Sequence, residues 1–134
     1  MKKILSICLC LCLLLGISGC GGEESKEVSY DEAEIVKKGE EIINDMNAQD
    51  YQAVIDKGDD NLKKSLTSDQ LKAGMDQYVL PLGAFKENEQ HEVTTKDGSI
   101  VAGFISAYEK GKIQYIISFD ESGAMNGIHL SPVS

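Results

Sequence analysis

The sequence predicts an α+β domain: N-terminal helices packed on one face of a curved antiparallel sheet of about four strands. Three observations carry this. Up to Leu82 the apolar residues recur every three or four positions, the spacing of one helix face. From Asn88 they recur every second position, the spacing of one strand face. Helices first and a strand meander after them is the order of segregated layers, not of alternating units around a parallel sheet.

Ser29 and Glu32 have the spacing of a capping box, so the first helix is expected to start at Ser29. Ile35, Val36, Gly39, Ile42, Ile43 and Met46 then form a single stripe, which ends near Asn47. Asp50 is placed to cap a short second helix through Ile55, with Tyr51, Val54 and Ile55 as core. Asp56 to Lys64 reads as a polar connection plugged by Leu62. Thr67 with Gln70 is a second capping box, and Leu66 with Leu71 a hydrophobic staple. Leu71, Met75, Tyr78, Val79 and Leu82 make the stripe of the helix that follows. Pro81 should kink or end it, and Gly83 should stop it.

His91 to Thr95 is a weak first strand, and Lys96-Asp97-Gly98 a hairpin turn. Ile100 to Tyr108 is a strong strand, apolar on both faces, turned by Glu109-Lys110-Gly111. Ile113, Tyr115, Ile117 and Phe119 share one face of the third strand. After the turn Asp120 to Gly123, Met125 to Leu130 is the last strand. Gly103 and Gly127 interrupt strand patterns and are expected to mark bulges or bends.

The N-terminus carries a targeting signal. Lys2 and Lys3 give a positive start, and Ile4 to Ile17 carry no charge. That run is shorter than the roughly 18 to 20 apolar residues of a membrane-spanning helix. Ile17-Ser18-Gly19-Cys20 places an aliphatic residue and two small residues before a cysteine, the pattern of a bacterial lipoprotein signal. The expectation is cleavage between Gly19 and Cys20 and a diacylglyceryl thioether, with an acylated amino terminus, on Cys20. Two or three chains anchor stably where one does not, because each buried CH₂ contributes about 0.8 kcal/mol. The organisation is then residues 1–19 signal peptide, 20–28 lipidated cysteine and flexible tether, and 29–134 one domain. The localisation is the extracytoplasmic face of the cell membrane.

Cysteine usage follows. Cys8, Cys10 and Cys12 leave with the signal, and Cys20 carries lipid. The mature domain is left without a disulfide, a thiolate metal site or a cysteine nucleophile. Its 11 lysines against 22 acids give a formal charge of −11, with no arginine. Phosphate neutralisation and guanine reading need cations, so nucleic acid is excluded as a partner.

The order and several motifs resemble the domain of unknown function 3887 family, within the nuclear-transport-factor-2-like, cystatin-like cone superfamily. The matching stretches are Met46 to Tyr51, Leu66 to Leu71, Leu82 to Lys86, Tyr108 to Lys112, Phe119 to Gly123 and Gly127-Ile128. Gly74-Met75 departs from the family, which often has a larger aromatic residue there. The resemblance implies a cone of three helices over a bent sheet, with a cavity between them, in a branch with no assigned activity. Fold alone does not give function.

Candidate chemistry is thin. His91 and His129 are the only histidines, and His129 is solvated if Ile128 and Leu130 point inward. Asp76 beside the stripe of the third predicted helix could serve as a buried acid or base of the ketosteroid-isomerase type. Tyr51, Met75, Asp76, Tyr78, Phe104, Tyr115 and His129 are the residues a pocket inside the cone would use. Asp56, Asp59, Asp60 and Asn61 lack the spacing of a calcium loop, and two histidines without cysteines do not make a zinc site. No catalytic residue, metal or cofactor is assigned. The leading expectation is a membrane-anchored binding or interaction module for a small ligand or protein partner. The alternatives are a lyase or isomerase working inside the cone, and a structural envelope protein acting as a homodimer. The first alternative requires an open cavity.

Overall fold

The computed structural model describes residues 28–134; the signal peptide, Gly19, Cys20 and the tether through Glu27 lie outside the described residues. Among the described residues four α-helices come first: α1 Glu32–Asn47, α2 Tyr51–Asp56, α3 Asp60–Ser65 and α4 Ser68–Gly74. A π-helical turn, Met75–Val79, and a 3₁₀ turn, Leu80–Leu82, continue α4. Four strands follow: β1 Phe85–Lys96, β2 Ser99–Tyr108, β3 Gly111–Phe119 and β4 Met125–Pro132. They pair antiparallel in sequence order. Among the described residues no helix is long and apolar enough to cross a membrane.

The helix starts show which side chains win the capping competition. α1 is capped by Asp31, whose carboxylate accepts from the Ala33 amide, and not by Ser29 with Glu32. A carboxylate at a helix N-terminus adds a favourable charge–dipole term that a serine lacks. Asp50 caps α2, accepting from the Ala53 amide. The Thr67–Gln70 capping box at α4 is complete in both directions. The stretch expected to be a plain connection contains α3, whose cap Asp59 accepts from the Leu62 amide. Six residues with no fully buried side chain give too short a period to be seen in the sequence.

The strand region is longer than its apolar pattern. β1 extends back to Phe85, because its polar residues sit at the sheet edge where alternation is not required. Asp97 and Gly98 both take positive φ, 52° and 81°, the geometry of the two-residue hairpin turn that matches strand twist. Gly103 is not a bulge: it pairs in regular register with Glu92 on one side and Ile116 on the other. The register shifts fall between Phe85 and Glu87, between Asn88 and Gln90, and between Ser118 and Phe119 beside Gly127. Bulges on β1 turn its edge away from further pairing.

One core joins the layers. Ile35, Ile42, Ile43 and Met46 of α1, with Val54, Leu71, Met75 and Val79, close over Ile100, Phe104, Ile113, Tyr115, Ile117, Phe119 and Met125. All of these lie within the described residues. Gly39 sets the closest approach. A Cβ built there would stand 2.4 Å from the Phe104 ring, so the α1 backbone rests directly on the aromatic face.

Candidate functional site

The inner face of the sheet is filled. Tyr115, Phe104, Phe119, Ile42, Ile43, Met46, Met75 and Ile117 are each under 2% exposed and occupy the space between sheet and helices. The expected pocket residues do not converge on a chamber. Phe104 packs under α1 against Gly39. Tyr78 is half-buried at the margin of the core. His129 is exposed on the other side of the sheet, as the inward-facing Ile128 and Leu130 require. Asp76 is exposed and pairs with Lys72 at 2.6 Å, so it is not a buried acid or base.

Tyr51, Met75, Asp76 and Tyr115 do come together, as a structural cluster. The Tyr108 hydroxyl donates to Asn47 Oδ1 at 2.6 Å, and the hydroxyls of Tyr108 and Tyr115 are 2.7 Å apart. Met75 Sδ is 3.8 Å from the Tyr115 hydroxyl, a weaker acceptor than the Tyr108 oxygen. The consistent assignment is a relay from Tyr115 to Tyr108 to Asn47 Oδ1. Asn47 Nδ2 is buried without an acceptor, so the amide works only as the end of this chain. Burial, then the Tyr108 hydroxyl beside it, pushes the Tyr115 phenol far above its ordinary value of 10.0. Burial also raises Tyr108, partly offset by its two hydrogen bonds. Burial and then the Asp76 carboxylate raise Tyr51.

Two outcomes follow. Tyr108→Phe leaves both neighbours without their partner and should cost about 1–3 kcal/mol in chemical denaturation. Tyr115→Phe leaves the Tyr108–Asn47 bond intact and should cost less. A phenol whose folded pKa is raised contributes stability that is present below the unfolded value and lost as the pH climbs. The domain should therefore weaken above pH 10.0, and Tyr115→Phe should blunt that alkaline loss.

The remaining candidates resolve into structural roles. Asp56 accepts from Gln52, and Asp59 caps α3. Among the described residues no group of three or more His, Cys, Asp or Glu could hold a metal ion. His91 is an exposed edge residue 6.3 Å from the Phe104 ring.

Among the described residues, nothing forms a layer over the outer face of the sheet. Side chains there stand in rows set by the strand register. Thr94, Val101, Ser118 and Gly127 form one row. Glu92, Gly103, Ile116 and His129 form the next, and Gln90, Ile105, Gln114 and Ser131 the third. Val101, Ile105 and Ile116 make an aliphatic centre that solvent reaches. Toward the β2–β3 turn, Lys112 reaches across Ala107 to Glu89 at 2.7 Å. Gly103 opens a notch in the centre. A Cβ there would meet nothing within 4 Å, and a groove of about 370 Å³ runs past it between Gln90, Glu92, Ile105 and Gln114. Gly103 and the two-faced apolarity of β2 are visible in the sequence, but only the register puts Gly103 beside Ile116.

Among the described residues, a four-stranded sheet curved over helices, its inner face packed with side chains, defines an α+β fold. The chain belongs to the protein family of unknown function DUF3887, whose model matches residues 39–128. A protein from Ruminococcus gnavus ATCC 29149, solved by NMR, has the same fold with a TM-score of 0.64. It is 22% identical, and the match covers 80% of this chain and 96% of that one. The matched fold makes up nearly all of that chain. No curated protein matches the sequence.

Proposed function

We propose that this protein is a lipid-anchored extracytoplasmic lipoprotein whose domain is a non-catalytic binding module, with the outer face of the sheet as its binding surface. The observation that carries the reading is the contrast between the two faces. The inner face is packed with side chains under 2% exposed, which leaves the isomerase alternative without the space it needs. The outer face presents Val101, Ile105 and Ile116 to solvent inside a frame of polar side chains. An apolar centre with a polar rim is the anatomy of a protein interface. No Phe, Tyr or Trp stands in the three central rows, which disfavours a stacked sugar or base as the ligand.

Anchoring supports the same reading. Ser29 and Tyr30 line a surface groove with Val93 to Thr95, so the chain enters the domain at the β1–β2 hairpin pole. A tether of seven residues reaches at most roughly 25 Å. That pole then faces the membrane, and the open face stands to the side, accessible to neighbours on the same surface.

The test is a photoreactive residue in place of Ile105 in the full anchored chain, irradiated on intact source cells, with Lys63 on α3 as control. A discrete macromolecular adduct from position 105 and none from 63 is expected. No adduct from position 105 sinks the reading.

A further inference from the structure

We infer that the occupant of the open face is a second copy of this chain, related by a twofold axis running parallel to the strands between β2 and β3. This rests on the open face being the binding surface, and it names the partner. A twofold axis along the strands keeps each row at its height and reverses the order of strands. In the central row Glu92 then lies over His129 of the second copy, and His129 over its Glu92. Ile116 lies over the notch at Gly103 of the second copy, and the reverse contact forms by symmetry. The row is complementary to itself in shape, and it sets a carboxylate against an imidazole whose N–H can donate to it. In the neighbouring rows Gln90 meets Ser131 and Ile105 meets Gln114.

The other face-to-face choice, a twofold axis across the strands, fails on both counts. With the axis through the central row, it stacks β1 on β1 and sets Glu92 against its own copy. It also puts the Gly103 notch over itself and Ile116 against Ile116. The strand-parallel axis further leaves both Val28 residues at the same pole, as two chains tethered to one membrane require. Face-to-face sheets pack about 10 Å apart and within about 30° of parallel, so the central row keeps its register despite the twist.

The face offers about 500 Å² per copy by strand spacing and rise. That is below the roughly 800 Å² of a standard interface, so the free domain should dimerise weakly. Anchoring in one membrane raises the effective concentration and compensates.

The test uses residues 28–134 in sedimentation equilibrium from about 10 μM to 1 mM. A monomer–dimer equilibrium is expected. Gly103→Val fills the notch, its Cβ meeting nothing within 4 Å in the monomer, and should weaken the dimer at least tenfold with the melting temperature unchanged or raised. Glu92→Lys and His129→Glu should each weaken it, and the two together should restore it. Because the mature domain contains no cysteine, Gly103→Cys and Ile116→Cys chains can be mixed and joined by a short bis-maleimide. The mixed product should dominate over either self-linked product. A strictly monomeric wild type at 1 mM, or a double charge swap that fails to restore dimer, overturns the inference. The photoadduct of the anchored chain separates the cases: an adduct of twice the chain mass supports the second copy. A partner of another mass keeps the open-face reading and removes this one, and no adduct removes both.

Discussion

Gly39→Val is expected to destabilise the domain by about 3 kcal/mol, a large part of the 5–15 kcal/mol that holds a domain of this size. The position has no room: the new Cβ would stand 2.4 Å from two ring carbons of Phe104. Phe104 is 1% exposed and held between its β-strand neighbours Ala102 and Ser106, both fully buried, so it cannot retreat. Helix propensity pulls the other way, since valine is favoured over glycine in a helix interior by a few tenths of a kcal/mol. Overpacking wins by magnitude. Thermal denaturation should show a fall of roughly 15 °C. Phe104→Leu in the same chain should recover part of it, so the double-mutant cycle should report coupling of at least about 1 kcal/mol. An additive cycle would mean that the α1 backbone does not rest on this ring.

Cys20→Ala is expected to abolish anchoring altogether. Cys20 lies outside the described residues, and the expectation rests on the lipobox and on the chemistry of the anchor. Without the thiol no thioether forms, and the remaining acidic chain has no affinity for anionic head groups. Labelled fatty acid should be absent from the variant, and the protein should leave the firmly anchored membrane fraction while keeping the melting temperature of the domain. Retained lipid label in Cys20→Ala would remove the lipoprotein reading. Loss of anchoring should also weaken any contact made through the open face, because two-dimensional confinement no longer concentrates the chains.

Much of the fold is legible in the sequence because its signals are local. The 3.6-residue stripe of α1, the Thr67–Gln70 box, the Asp97-Gly98 turn and the alternation of β3 each depend on residues within one element. Departures occur where a competing local signal or an edge position decides. Asp31 takes the cap two residues after Ser29, and α3 is too short and too exposed to show a stripe. β1 runs ahead of its apolar pattern because, among the described residues, one side of it pairs with no strand. Pro81 ends the helical segment as expected, but through a π-helical turn and then a 3₁₀ turn, which relieve the clash before the chain leaves at Gly83 with φ 85°.

The site was less legible, for a different reason. The aromatic and acidic residues that a pocket would use are also those that a small core without tryptophan needs, and composition cannot separate the two. Tyr115 and Met75 are in the core, Asp76 is tied to surface Lys72, and His129 is on the far face. Asn47, which terminates the tyrosine relay, gives no sequence signal because its partner Tyr108 is 61 positions away. The outer rows are likewise a product of register. Glu92, Gly103, Ile116 and His129 are on four strands, and only pairing aligns them.

The proposed binding surface is the outside of the sheet and not the inside of the cone. It is tested most directly by amide NMR of the isotope-labelled domain, followed from dilute to concentrated solution and then against envelope fractions of the source cells. Changes confined to the outer face, centred on Val101, Gly103, Ile105, Ile116 and His129, are the expected result. Changes centred on Tyr51, Met75, Phe104 and Tyr115, with the outer rows silent, would contradict it and place the working site in the interior.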